Sequence, residues 1–216
     1  MTPPDDARVP AEPGGAPGSR RNRRRARIIA AATELFLEHG YGDTSIDAVV
    51  RDAGGSKSTV YELFGDKNGL FAAVVEEMVG SAVRPVPDIA TLTLGLRDTL
   101  RHVACEHAEL VFSDRHAALM RLVAAEAQRR PELGRLYYKI GPARGHSKLE
   151  AYLRDRSAEG DLAIQDVEAA ASFFYGMLLH KWTLKRLYNI AASPDNAEIN
   201  RIATTVVDEF LALYRA

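Results

Sequence analysis

The segment from Thr44 to Leu70 (TSIDAVVRDAGGSKSTVYELFGDKNGL) constrains this chain more than any other stretch. Thr44 or Ser45 can cap a short helix in which Ile46, Val49, Val50 and Ala53 recur at helical spacing. Gly54 and Gly55 break that helix, and Ser56 caps a second one with Val60 and Phe64 facing inward. Lys57, Ser58, Thr59, Tyr61 and Glu62 are left on its outer face. Two short helices joined by a glycine turn, the second carrying small polar and basic residues, suit entry into the major groove of DNA. A third helix follows at once from Lys67.

Around this segment the chain reads as all-α. From about Asn22, the residues Ile28, Ala32, Leu35 and Phe36 share one face of a first helix that Gly40 ends. The helix from Lys67 is expected to run to Val83, stopped by Pro85 and Pro87. Beyond Asp88 no strand alternation appears and apolar residues keep recurring at three and four. Helices are expected near Thr91 to Val111, Asp114 to Arg129, Pro131 to Arg156, Asp166 to Asn189 and Pro194 to Tyr214, with Gly141-Pro142 kinking or splitting the third of these. The expected organisation is a Pro/Gly/Arg-rich tail over residues 1–21, disordered for want of large apolar residues, a three-helix DNA-binding head with its leading helix over 22–84, and a larger helical body over 88–216.

Charge sharpens the DNA reading. The net charge of −1 says little as a total, yet Arg20, Arg21, Arg23, Arg24, Arg25 and Arg27 stand in one short run. That run either adds phosphate and minor-groove contacts or is a solvated helix start. The single cysteine, Cys105, excludes an internal disulfide and any paired-cysteine motif, which fits a reducing cytoplasm. The apolar stretch after the arginines ends at Thr33, too soon for a secretion signal. Ala169 to Leu179, the longest uncharged stretch, is far shorter than the ~20 residues that span a bilayer.

The motif in the head resembles the DNA-binding domain of the TetR family of transcriptional repressors. Ala53-Gly54 at the turn, the Ser-Lys-x-Thr-x-Tyr segment of Ser56, Lys57, Thr59 and Tyr61, then Phe64 and Lys67 match that family's pattern. Gly55 departs from it, standing where the family usually has an aliphatic residue, and Glu62 and Leu63 depart too, so the base preference does not carry over. In the body, LMRLVAAEAQRRPELGRLYYKIGP (Leu119 to Pro142), then KLEAYLRDRSAEGDL and FYGML, is similar to the ligand-binding domain of AefR-like members. The resemblance implies a homodimer joined through the last two long helices, an operator as DNA partner, a small-molecule inducer of unknown identity held by the preceding helices, and no cofactor.

On these grounds Ser56, Lys57, Ser58 and Thr59 are expected to read DNA at the start of the recognition helix, and Lys57 can bond guanine or phosphate. Thr44, Ser45, Tyr61 and Lys67 join them, with Thr44, Tyr61 and Lys67 as a phosphate clamp. Ligand candidates are polar or aromatic residues set in apolar stretches: His102, Phe112, His116, Met120, Tyr137, Tyr138, Phe173, Phe174 and Met177. Val167, Ala171, Phe174, Leu178 and Trp182 form one stripe, and Ile199, Ile202, Val206, Phe210 and Leu213 another. Periodicity alone leaves core and dimer seam equally open, and the resemblance favours a seam through Phe174, Leu178, Trp182, Ile202, Val206, Phe210 and Leu213.

Enzymatic readings find little support. His102, Glu106 and His107 form His-x-x-x-Glu-His, one residue longer than the inverted zincin motif. No Gly-rich phosphate loop and no G-x-S-x-G elbow is present. The sequence therefore points to a ligand-responsive, dimeric transcriptional repressor with no catalytic residues and no metal.

Overall fold

The computed structural model describes residues 17–80 and 93–216. Most of the expected tail and the head-to-body boundary at Pro85 and Pro87 lie outside them. Among the described residues the chain forms ten helices: α1 (Pro17–Asp43), α2 (Ile46–Ala53), α3 (Lys57–Phe64), α4 (Lys67–Gly80), α5 (Leu96–Phe112), α6 (Asp114–Ala127), α7 (Pro131–Ile140), α8 (Pro142–Ala158), α9 (Val167–Leu187) and α10 (Asn196–Tyr214). None is long and apolar enough to cross a membrane.

Local chemistry sets most of the boundaries. Ser45, Ser56, Ser113, Asp166 and Asp195 each accept a backbone N–H of the first turn that follows, satisfying a donor the helix leaves free. Pro131 and Pro142 stand at helix starts, where the missing N–H costs nothing. Gly141-Pro142 splits the expected long helix into α7 and α8. α1 begins five residues earlier than the sequence suggests, and Gly40 breaks it near its end at φ 82°, a conformation other residues rarely adopt.

The head packs α1 across α2, α3 and α4. Ile28, Ile29, Ala32 and Phe36 of α1 meet Val49, Val60, Leu70, Phe71, Val74 and Val75 in a closed core. Phe36, Tyr41 and Phe71 form its centre, with Phe36 stacked on Tyr41 and both edge-on to Phe71 at ring distances of 5.3–5.5 Å. Truncating a ring so enclosed costs about 3–5 kcal/mol. α4 starts hard against the end of α3: Asp66 accepts from Gly69 N at 2.7 Å, and a Cβ on Gly69 would lie 1.8 Å from the Phe64 carbonyl oxygen.

The body has its own core. α5, α8, α9 and α10 bury Leu100, Phe112, Leu149, Leu153, Phe174, Leu178, Val207 and Phe210. Phe174 and Phe210 meet edge to face at 5.3 Å, tying α9 to α10. Near the end of α9 the buried Arg186 pairs with Asp114 and donates to Ala191 O at 2.7 Å, which anchors the turn after α9 to the start of α6.

The head core does not stop at the head. Leu119, Leu122 and Val123 of α6 and Leu133 and Ile140 of α7 belong to the same apolar cluster as α1 and α4. A polar joint seals its edge: Gly42 N donates to Glu126 at 3.2 Å, Glu126 pairs with Arg130, and Arg130 and Lys67 both lie over the Tyr41 ring.

Candidate nucleic-acid interface and ligand cavity

The free face of α3 carries the residues expected there. Lys57, Ser58 and Tyr61 are exposed and Thr59 is half-buried, all leaving the first turn and a half of the helix open. Ser56 is committed to its own helix: its hydroxyl accepts from Thr59 N at 3.3 Å and lies 2.8 Å from Ser58 Oγ. Lys57 pairs with Asp47 of α2 at 2.8 Å, a hydrogen bond that pushes its pKa up and keeps the ammonium charged. Reading a base therefore requires Lys57 to exchange Asp47 for DNA.

Two residues of the expected phosphate clamp are occupied elsewhere. Thr44 is buried at 2% exposure, and its hydroxyl donates to Leu35 O at 3.0 Å and Gly40 O at 2.8 Å, closing the break in α1. Lys67 donates to Gly42 O at 3.2 Å with its ammonium 4.4 Å from the Tyr41 ring centre. Burial first, and Arg130 second, lower its pKa. Both belong to the joint between α1 and its neighbours. Ser45, exposed, is the cap of α2.

The arginines stand beside α3. Arg20, Arg21, Arg23, Arg24 and Arg27 of α1 form a groove with Thr59, Glu62 and Leu63. Glu62 lines the same groove as these arginines. Gly55 has φ 126°, and a Cβ there would reach Arg24 at 3.8 Å, while one on Gly54 would reach Arg27 at 3.7 Å. The guanidinium ends of Arg24 and Arg27 thus lie over the turn where the aliphatic residue is missing.

A second site lies in the body. A cavity of about 420 Å³ sits between α4 to α9, and its walls include Val103, Glu106, His107, Leu110 and Val111 of α5, His116 and Met120 of α6, Tyr137 and Ile140 of α7, His146 of α8 and Tyr175 and Leu179 of α9. α4 closes it with Glu76 and Val79. His116 Nε2 lies 2.9 Å from the Tyr137 hydroxyl. Tyr175 contacts His107 and His146 at ring distances of 4.5 and 4.9 Å. Gly145 makes this approach feasible, since a Cβ there would lie 3.1 Å from His107 Cε1. Burial, then the neighbouring His116 and His146, pushes the His107 pKa down to about 4, and burial alone takes His116 to about 4. Burial raises Tyr137 to about 12 and Tyr175 further. At neutral pH these two imidazoles and two phenols are all uncharged.

Of the expected ligand residues the cavity contains His116, Met120 and Tyr137. Phe112 and Phe174 are fully buried in the body core, and His102 lies beside the cavity-lining face of α5 without joining it. Tyr138, Phe173 and Met177 point outward, at 61%, 57% and 41% exposure. The sequence reading missed His107, His146 and Tyr175. The signal was present on α5: Val103, Glu106, His107, Leu110 and Val111 recur at three and four, marking one face on which a histidine replaces an aliphatic residue.

Most residues expected at the seam lie inside the subunit. Phe174, Leu178, Val206 and Phe210 are interior residues, and Trp182 and Ile202 pack partly against the same core. Leu213 alone of that set is exposed, and α9 turns Phe173, Met177 and Leu184 outward. Gly176 lies in this stripe with open space around its Cβ position.

Residues 28–74 match the family described as bacterial regulatory proteins, tetR family, and residues 98–216 match the AefR-like transcriptional repressor C-terminal domain. The HTH-type transcriptional regulator HbdR of Aromatoleum sp. (strain CIB) is 28% identical over 163 residues, 75% of this chain and 69% of the relative. A crystal structure assigned to a TetR-family regulator of Mesorhizobium loti MAFF303099 superposes with a TM-score of 0.79 at 31% identity, covering 91% of this chain and 99% of the other. The flavonoid-responsive regulator FrrA superposes with a TM-score of 0.75 at 30% identity over 90% of this chain and 98% of its own. With both halves matched and the fold shared over 91% of its length, this chain belongs to the TetR family of transcriptional regulators.

Proposed function

We propose that the protein is a homodimeric repressor that binds a palindromic operator and is released when a small, largely apolar molecule enters the body cavity. The observation that carries this reading is that Glu76 and Val79 of α4, the last helix of the head, form one wall of the cavity. A ligand there touches the head directly. α3 then moves with α4, because Gly69 holds their junction too close to swivel. The shift in population equals the ligand's preference for one head position over the other, and each factor of ten in operator affinity takes about 1.4 kcal/mol of that preference.

Dimerisation follows from the DNA chemistry. One short recognition helix reads too few base pairs for specificity, whereas two heads on half-sites one turn apart multiply the discrimination. The outward stripe of Phe173, Met177, Leu184 and Leu213 is the face best suited to bury a partner, and Gly176 lets a second backbone come close. On DNA, Lys57, Ser58 and Thr59 face the bases, while Tyr61 and the arginines of α1 face phosphates. A cytoplasmic location accords with this role.

The test is a mobility shift on DNA from upstream of the protein's own gene at moderate salt. A sequence-preferring complex of two protomers supports the reading, and equal binding to scrambled DNA refutes it.

A further inference from the structure

We infer that the cavity's ligand is an uncharged, hydroxylated aromatic compound of two or three rings, with His107 reading one of its hydroxyl groups. This rests on the cavity being the inducer site.

Size and charge narrow the choice first. At the packing density of protein interiors, ~0.74, a cavity of 420 Å³ holds roughly 300 Å³ of ligand atoms. That accommodates a small polycyclic skeleton. The charged wall residues, Glu76 and Glu106 against Arg144 and Lys148, sum to zero. Half-buried His107 and buried His116 carry no charge at neutral pH. Arg144 and Lys148 are exposed, so a ligand carboxylate meets a cation only at the outer rim; held deeper, beside His107 and His116, it is unpaired, and burying an unpaired charge is strongly unfavourable.

The polar groups then argue against a plain hydrocarbon chain. His107 makes no hydrogen bond among the described residues, although its ring lies on the cavity wall between Gly145 and Tyr175. His146 donates from Nδ1 to Pro142 O at 2.9 Å, since a carbonyl only accepts, which leaves Nε2 free to meet a ligand. An aliphatic tail would strand these nitrogens against methylene groups. Hydroxyl groups satisfy them. The tilted rings of His107, Tyr175 and His146 add aromatic edges and faces that a flat ring system can stack on.

The experiment is calorimetric titration of the full-length protein at neutral pH with a trihydroxyflavone, its trimethyl ether and palmitate. The hydroxylated compound is expected to bind at least about tenfold more tightly than either of the others, because a site that pairs buried polar groups with a hydroxyl discriminates against analogues lacking it. His107→Phe, which keeps the ring stack and deletes both nitrogens, is expected to weaken the hydroxylated compound about tenfold and to leave the ether within about twofold. His107→Gln, which restores a donor and an acceptor, is expected to recover most of the loss, so the effect of His107→Phe is not collapse of the cavity. Failure of the trihydroxyflavone to bind, equal or tighter binding of palmitate or the ether, or an unchanged His107→Phe variant overturns the inference. These isotherms are read without DNA, so such a failure leaves the operator-binding reading intact, and loss of operator specificity leaves the isotherms intact.

Discussion

Acidification is expected to destabilise the body through two desolvated imidazoles, one half-buried and one buried. His107 and His116 have pKa values of about 4 against an ordinary 6.5. The unfolded chain therefore binds more protons than the folded one between those values. Stability is full above about pH 6.5 and is lost as pH falls through the window toward 4. For one ring with these values the loss between about pH 7.5 and pH 5 is about 2 kcal/mol, which lowers Tm by about 4–8 °C in a chain of this size. The assay is thermal unfolding of the wild type and of His107→Phe across that range at fixed protein concentration. Other titrating groups are common to both proteins and cancel in the difference. The wild type is expected to lose about 2 kcal/mol more than the variant, and the variant to be the more stable of the two at the acid end relative to neutral pH. Identical pH profiles would refute the claim that His107 is held neutral by burial.

Three further outcomes follow from the head and the proposed dimer face. Thr44→Val removes a buried hydroxyl bonded to Leu35 O and Gly40 O, and is expected to cost about 1–2 kcal/mol in unfolding while leaving the salt dependence of DNA binding unchanged; a flattened salt slope would restore Thr44 to the phosphate clamp. Replacing Arg20 and Arg24 by Ala is expected to reduce the slope of log affinity against log salt by about 0.9 for each phosphate that the variant no longer neutralises, and an unchanged slope would remove α1 from the interface. Phe173→Glu with Leu213→Glu is expected to give a folded monomer by sedimentation, with normal helicity by circular dichroism and weak operator binding; a persistent dimer would move the interface elsewhere.

The head is legible in the sequence because its signals are local. Ser45 and Ser56 cap helices within three residues, the Gly54-Gly55 turn lies between them, and Val49 and Val60 point inward as their spacing requires. Gly141-Pro142 splits its helix for the same kind of reason. The body sites are not legible to that depth. Whether Phe173 or Phe174 faces out is a rotation of one residue on α9, and the core that decides it comes from α5, α8 and α10, distant in sequence. The places of Thr44 and Lys67 escape a sequence reading because their hydrogen-bond partners are carbonyls that only the folded joint brings near. His107 acquires its role through Gly145 and Tyr175, both more than thirty residues away.

The central claim, that cavity occupancy sets the position of the heads, is tested most directly by titrating a complex of the protein and its upstream palindrome with the trihydroxyflavone, and reading release by fluorescence anisotropy at fixed salt. Release of the wild-type complex is expected at the same concentrations that fill the cavity in the absence of DNA. A compound that fills the cavity while operator affinity stays unchanged would contradict the account.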